Sequence, residues 1–380
     1  RDDVESRGLG DVYKRQECVV IEDSINGIKA GHAAGMKVIH IPDTIEINDD
    51  IRRLTSVVCH SLSDVPDIID TWNEGKVADV EGYYENAKIN RVYVDRVHVK
   101  KAFAEYTAAY NADDPKIKLK IDHTYRVAAL CERIAKAAGM CAYDVELAWL
   151  SGMLHDVGRF EQIKRYNTFS DADSVDHAKF GADLLFKDGL ISTFLNGMVK
   201  CTGYKPGALE DRYSSDGVFL YDRLNKSDME MLELAIRCHN MYRIPQGLNR
   251  REQAFCNVLR DADKVDIFKV NIDTPLEEIY NTTTEELMKS DITDEVLEAF
   301  DEEHCILKAI RCTPADTVIG HVSLAYELVY DESVRITVEQ GYLAKLMHFH
   351  SDNEETNRKM AMVREKMDSY VKKRIGEKDA

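Results

Sequence analysis

"GMLHDVGRF", residues 152–160, decides how this chain is read. It places His155 and Asp156 side by side at the end of the apolar run "DVELAWLSGMLHD". Adjacent residues diverge by about 100° around a helix and do not share a face. The run is apolar on nearly every side, which predicts a central buried helix with Asp144 as its cap. Two metal-competent side chains on such a helix need a partner, because a buried polar group left unpaired is costly. At a helix end both can turn toward one ion, or the aspartate can reach a second. Gly158, just beyond, is expected to let the chain leave sharply.

Other polar residues sit on apolar helices in the same part of the chain. In "DHTYRVAALCERIAKAAG", Val127, Leu130, Cys131, Ile134 and Ala138 fall at helical spacing, and His123 lies on the same stripe. Gly139 supplies the stop. His177, His239 and one or more of Asp261, Asp263 and Asp266 complete the set. One buried histidine ordinarily finds a hydrogen bond and does no chemistry. Several on successive buried stripes are satisfied together by a shared divalent ion. Imidazole with carboxylate suits Mn, Fe, Co, Ni, Zn or Mg. Periodicity does not choose among the three aspartates of "RDADKVD" (260–266).

"DHTYRV", "GMLHDVGRF", "DHAKFGADLL", "AIRCHN" and "RDADKVDIF" occur in the order that resembles an HD-domain phosphohydrolase over residues 96–271 and into the helical tail. The bare dipeptide carries no information; the ordered set of His, His-Asp and a late Asp is specific. The resemblance implies an all-helical domain, with core metal ligands on His123, His155, Asp156 and Asp263, and Asp261 as the fallback. Members with two metals add two histidines, whose places are held here by His177 and His239; Asp156 then bridges the ions. The implied activity is hydrolysis of a phosphoester, a nucleotide or another small phosphorylated metabolite, by water activated on one or two divalent ions. His155, Asp156 and Arg159 stand as its catalytic residues.

Three cations near these motifs are candidates for holding the phosphate: Arg126, one turn after His123; Arg159, after the His-Asp pair; and Lys264, after the late ligand. The bland reading of each is a salt-bridged or solvated side chain. "FEQIKRYNTFSDADSVDH" (160–177) is long and polar for a connection, and is read equally as a substrate loop or a plain exposed one.

Residues 17–75 alternate strand and helix: "CVVIED", "SINGIKAGHAAG" capped by Ser24 and ended by Gly35, "KVIHIP" closed by Pro42, "SVVCH", and a last helix in "DVPDIIDTW". This is the βαβ rhythm of a Rossmann-like α/β fold. "VVIEDSINGIKAGHAAGMKVIHIP" (19–42) resembles the last metal-binding motif of haloacid-dehalogenase-like phosphatases of the sugar-phosphate mutase type, with Glu22 and Asp23 at a vestigial Mg site. The family's nucleophile motif is missing, so this segment reads as a truncated, catalytically dead fragment. Residues 1–16, "RDDVESRGLGDVYKRQ", have no apolar periodicity, resemble translated adapter read-through and are expected to be non-native. Residues 76–95 read as a linker, 96–271 as the phosphohydrolase core and 272–380 as a helical extension.

The 380 residues carry a formal net charge of -18, which argues against a nucleic-acid or anionic-membrane partner. It leaves an anionic substrate open, because a bound cation reverses the local field. No apolar run reaches the ~18 residues of a membrane span. Nine scattered cysteines without a CxxC pair point to reduced thiols and a cytoplasmic setting, with Cys238 as packing. Two other functions stay in view: a module that holds a nucleotide or metal without turnover, and a sugar-phosphate phosphatase or mutase acting through residues 17–75. The oligomeric state has no signal in the sequence.

Overall fold

The computed structural model describes residues 18–41, 54–58, 94–111, 113–195, 224, 226–280 and 282–376, with single positions 62, 65 and 69. Residues 1–17, Pro42, most of "DVPDIIDTW" and residues 76–93 of the expected linker lie outside them. The chain divides into two compact units.

The first unit holds a small parallel sheet. Strand β1 (Val19–Glu22), helix α1 (Ile25–Ala33), strand β2 (Lys37–His40) and strand β3 (Val57–Val58) follow one another, in the order β1-β2-β3. The Ser24 hydroxyl accepts the Gly27 amide to start α1, and Gly35, at φ 71°, ends it. Ile28 and Val38 close one face of the sheet, and Ile39 packs with Val65. The βαβ rhythm of the sequence is therefore present here.

The described residues of the second unit are mainly helical. Its helices are α2 (Arg96–Thr107), α3 (Pro115–Ala137), the end of α4 (Ala142–Leu154), α5 (Val157–Tyr166), α6 (His177–Ala182), α7 (Ile191–Phe194), α8 (Lys226–Cys238) and α9 (Arg250–Asp273). Then come α10 (Leu276–Tyr280), α11 (Thr284–Lys289), α12 (Asp294–Asp301), α13 (Pro314–Val322), α14 (Asp331–Gln340), α15 (Tyr342–Met347) and α16 (Glu354–Ile375). Helix α3 starts on Asp114, whose side chain accepts the Lys116 amide, with Pro115 at its first position. It buries Ile117, Val127, Leu130, Cys131 and Ile134 on the stripe that carries His123. Ala138 is instead the exposed cap of this helix, and Ala135 takes the buried place. Helix α9 begins with a capping box between Asn249 and Glu252, and packs against α3 and α8.

The residues beyond 271 are joined to this core. Arg133 of α3 pairs with Glu332 and Glu339 of α14. Asp261 of α9 accepts the Val329 and Tyr330 amides and the Ser333 hydroxyl at the start of α14. Its carboxylate thereby satisfies donors that a helix N-terminus leaves free. The last helix buries Met360, Val363, Met367 and Ile375 against its neighbours.

Two local expectations are corrected. Asp144 lies inside the first turn of α4 and does not precede it. Gly158 does not release the chain, because the chain breaks at His155–Asp156 and is helical again from Val157. Its value is the missing side chain. A Cβ at Gly158 would come within 2.5 Å of the His177 carbonyl oxygen and 2.7 Å of the Gly181 nitrogen. Helices α5 and α6 cross there backbone to backbone. Gly152 does the same between α4 and α3, where a Cβ would lie 2.6 Å from the Ala128 Cα. The two glycines set how closely the helices bearing His155 and Asp156 approach those bearing His177 and His123.

Gly158→Ala is expected to cost about 1–3 kcal/mol through overpacking, read as a lower urea midpoint. Gly139→Ala, where nothing lies near but φ is 73°, is expected to cost about 1 kcal/mol. An unchanged midpoint for Gly158→Ala would contradict the close crossing.

Candidate metal centre

His155 follows directly on the end of α4, and His239 follows directly on the end of α8. Both use the same local device. The Nδ1–H of His155 donates to the Gly152 carbonyl, and that of His239 to the Ile236 carbonyl, each at 2.7 Å. The last carbonyls of a helix have no partner within it, so each accepts a hydrogen bond from the imidazole three residues on. The other two rings are locked by carboxylates. His123 Nδ1 donates to Asp266 at 2.6 Å, and His177 Nδ1 to Asp171 at 2.7 Å.

With Nδ1 protonated and engaged on all four rings, each presents Nε2 inward. The Nε2 atoms of His123 and His155 lie 3.3 Å apart, and those of His177 and His239 3.0 Å apart. Two neutral imidazoles in this tautomer would point lone pairs at each other. Only a proton or a cation between them relieves that. Asp156 lies between the pairs, almost wholly buried. Its Oδ2 is 3.6 Å from His123 Nε2 and 3.5 Å from His155 Nε2. Its Oδ1 is 3.6 Å from His177 Nε2 and 3.9 Å from His239 Nε2, and has no hydrogen-bond partner. Two metal-competent triads thus share Asp156: His123, His155 and Asp156, and Asp156, His177 and His239. The donor set, the forced tautomers and the orphaned oxygen all fit divalent ions, and the histidine–carboxylate contacts are the outer-shell support such sites use.

The electrostatics agree. Burial, then the charges of His177 and His155, lower the His239 pKa to about 3, so it is neutral and ready to ligate. Burial also lowers His177, against the pull of Asp171. Burial and Lys120 oppose a charge on His123, but Asp263 and Asp266 outweigh them and raise its pKa. Burial disfavours the Asp156 carboxylate, yet Lys120, His155 and Arg159 hold its pKa well below the usual range. Asp263 is likewise held down, against burial, by His123, His155 and His239.

The structure separates the three late aspartates. Asp263 Oδ1 faces the centre, 3.1 Å from His123 Nε2 and 3.9 Å from His155 Nε2. Asp261 points away and caps α14, and burial pushes its carboxyl up. Asp266 stands behind His123. The expected phosphate-binding cations have these surroundings, with Arg159 Nε 3.6 Å from Asp156 Oδ1 and without a hydrogen-bond partner. Arg126 gives Nε and Nη2 to Asp266 at 2.6 and 2.9 Å, which stiffens the support of His123. Arg159 Nη1 donates to Gln162, to the Phe169 carbonyl and to Asp171, so it fastens the loop 167–176. Lys264 has Arg260, Asp261 and Glu327 among its charged neighbours, and burial lowers its pKa. Cys238 is buried and free, as packing requires.

The sequence reading missed Lys120, Asp171 and Gln162. Lys120 Nζ lies 2.6 Å from Asp156 Oδ2. Its one signal was its place a turn before His123. Asp171 and the buried Gln162 meet in the loop, where Gln162 Nε2 donates to Asp171, Ser174 and Val175. No periodic pattern marks such contacts. In the first unit, the Glu22 carboxylate accepts the Ser24 hydroxyl, and Asp23 is exposed. Among the described residues neither belongs to a metal-competent group.

Residues 121–373 match the HD domain family, and the chain belongs to that family. HD domains are generally metal-dependent hydrolases that bind divalent metals. The match takes in both triads and the helices up to α16, and leaves the β-sheet segment outside. No curated protein and no solved structure matches the chain. No helix among the described residues is long and apolar enough to cross a membrane.

Asp263→Asn is expected to lower metal affinity by more than tenfold, measured by titration with Mn or Zn. Asp261→Asn is expected to retain metal uptake and lose stability through the α14 contacts; the reverse pattern would exchange their roles. His239 is neutral when folded and has the ordinary value of about 6.5 when unfolded. Its contribution is therefore present above pH 6.5 and is lost as pH falls toward 3. Metal-free protein should lose stability from pH 7 to pH 5 more steeply than His239→Asn, measured by denaturant titration.

Proposed function

We propose that this chain is a phosphohydrolase that cleaves the ester bond of a small phosphorylated molecule, a nucleotide in the first instance, at the centre around Asp156. The observation that supports this most is the pair of triads on one shared carboxylate, with four imidazoles locked into the tautomer that presents Nε2. Divalent ions bound there would neutralise phosphoryl charge and lower the pKa of water.

The residues of the chain then have distinct tasks. His123, His155, Asp156 and Asp263 would hold one ion; Asp156, His177 and His239 would hold a second. Asp266 and Asp171 keep the rings of His123 and His177 from turning. Helix α4 and the glycine crossings fix Asp156, so little reorganisation is needed when charge develops. The net charge of -18 repels a phosphate at long range, which makes cationic neutralisation at the site a requirement for binding. Arg159 would fasten the loop through Nη1 and, with Nε 3.6 Å from Asp156 Oδ1, would also meet the phosphate at the centre. The sheet unit contributes no group to this reading.

The test is phosphate release by the full chain, stripped of metal and reloaded with Mn, Co, Ni, Zn or Mg, across nucleoside mono-, tri- and cyclic phosphates. Hydrolysis is expected only with metal. Asp156→Asn should reduce kcat by more than about a hundredfold, since even outer-shell changes at metal sites cost 10- to 100-fold. Tight nucleotide binding with the ligand recovered intact would point to a holding module instead.

A further inference from the structure

The centre has a cation in a position that neither ligation nor packing accounts for. Lys120 lies on α3, three residues before His123 on the same face, with its side chain 16% exposed. Its ammonium rests 2.6 Å from Asp156 Oδ2, the oxygen that faces His123 and His155. That oxygen is the one an ion in the first triad requires. The ammonium also lies 5.6 Å from the centroid of the Phe169 ring, and the same ring lies 5.6 Å from the Arg159 guanidinium. In this one position Lys120 is thus held by Asp156 and also faces the Phe169 ring, whose face attracts a cation.

The other cations near the centre have acceptors of their own, although Arg159 Nε, which has no hydrogen-bond partner, also faces Asp156 Oδ1 at 3.6 Å. Arg126 is bidentate on Asp266, and Arg159 Nη1 is shared among three acceptors. Lysine suits the remaining task, because its ammonium is a compact charge on a flexible stem with three donors. Charge also argues for it. Once ions take the Asp156 oxygens, the carboxylate attracts the ammonium less, and an anion beside the ions attracts it more.

We propose that Lys120 binds the phosphoryl oxygens of the substrate. In the metal-free protein it is held on Asp156; with ions and substrate it exchanges the carboxylate for the phosphoryl group, and Phe169 and the Arg159-fastened loop keep it at the mouth. This rests on the phosphohydrolase reading and adds to it the group that recognises the anion. It predicts that phosphate affinity and metal affinity separate. Removing the lysine takes away a contact to phosphate and also a competitor for Asp156.

The experiment uses the full chain with Mn, and inorganic phosphate as the probe. Metal stoichiometry and affinity are measured by titration, phosphate affinity by competition and calorimetry, and folding by denaturant titration. Lys120→Met should bind Mn as tightly as wild type or more tightly, and phosphate at least tenfold more weakly. Lys120→Arg should recover part of the phosphate affinity, which a merely structural role would not require. With a hydrolysed substrate, the same loss should appear in KM and kcat together.

Equal phosphate affinity in Lys120→Met and wild type would overturn the assignment and leave the hydrolase reading standing. Loss of Mn binding in both Lys120 variants would also overturn it, and would make the lysine a support for Asp156. A wild-type chain that binds Mn but no phosphate would overturn both readings.

Discussion

The centre is governed by the repulsion of imidazole lone pairs around one buried carboxylate. Four rings are held with Nδ1 protonated and Nε2 inward, and pairs of Nε2 atoms stand 3.0 and 3.3 Å apart. A fold that forces this arrangement has created a demand for positive charge. The raised pKa of His123 and the Lys120 ammonium on Asp156 are two responses to that demand within the chain. A divalent ion is a third, and the one for which the donor set is suited. Metal binding must therefore displace or share these internal charges, which couples it to protonation and to the position of Lys120.

The surrounding structure keeps this arrangement from relaxing. Each ring is tied at the nitrogen remote from the centre, two of them to the ends of helices. Glycines at 152 and 158 allow the helices to approach closely enough that the rings cannot spread. Asp261 fastens α9 to α14, so the helix that carries Asp263 is braced from behind by the C-terminal half. The helices beyond residue 271 thus bear on the site, although none of the proposed ligands comes from them.

The loop 167–176 connects the two sides of the site. Gln162 and Arg159 hold it through Asp171, and Asp171 in turn orients His177. Phe169 of the same loop faces the two cations at the mouth. One segment therefore affects both a proposed ligand ring and the surface that a substrate would meet, which gives the polar composition of 160–177 a physical purpose.

Much of this was legible in the sequence. The apolar run before His155, the stripe bearing His123 and the order of His177, His239 and Asp263 state the helical class, the family and the residue types of the centre. Local propensity and spacing are sufficient for these, because they depend on 3.6-residue periodicity and on residues that hydrophobic helices do not otherwise tolerate. Tertiary structure alone decided the rest. Asp261 and Asp263 lie two residues apart, and only the packing of α14 shows which one faces the rings. Asp266 holds Arg126, and the loop holds Arg159 Nη1 while its Nε faces Asp156, contacts that spacing along the chain does not announce. Lys120 had only its place a turn before His123 as a signal, because its role depends on a carboxylate 36 positions away. Sequence records which groups a helix carries; the electrostatic partner of each is fixed by contacts between elements distant along the chain.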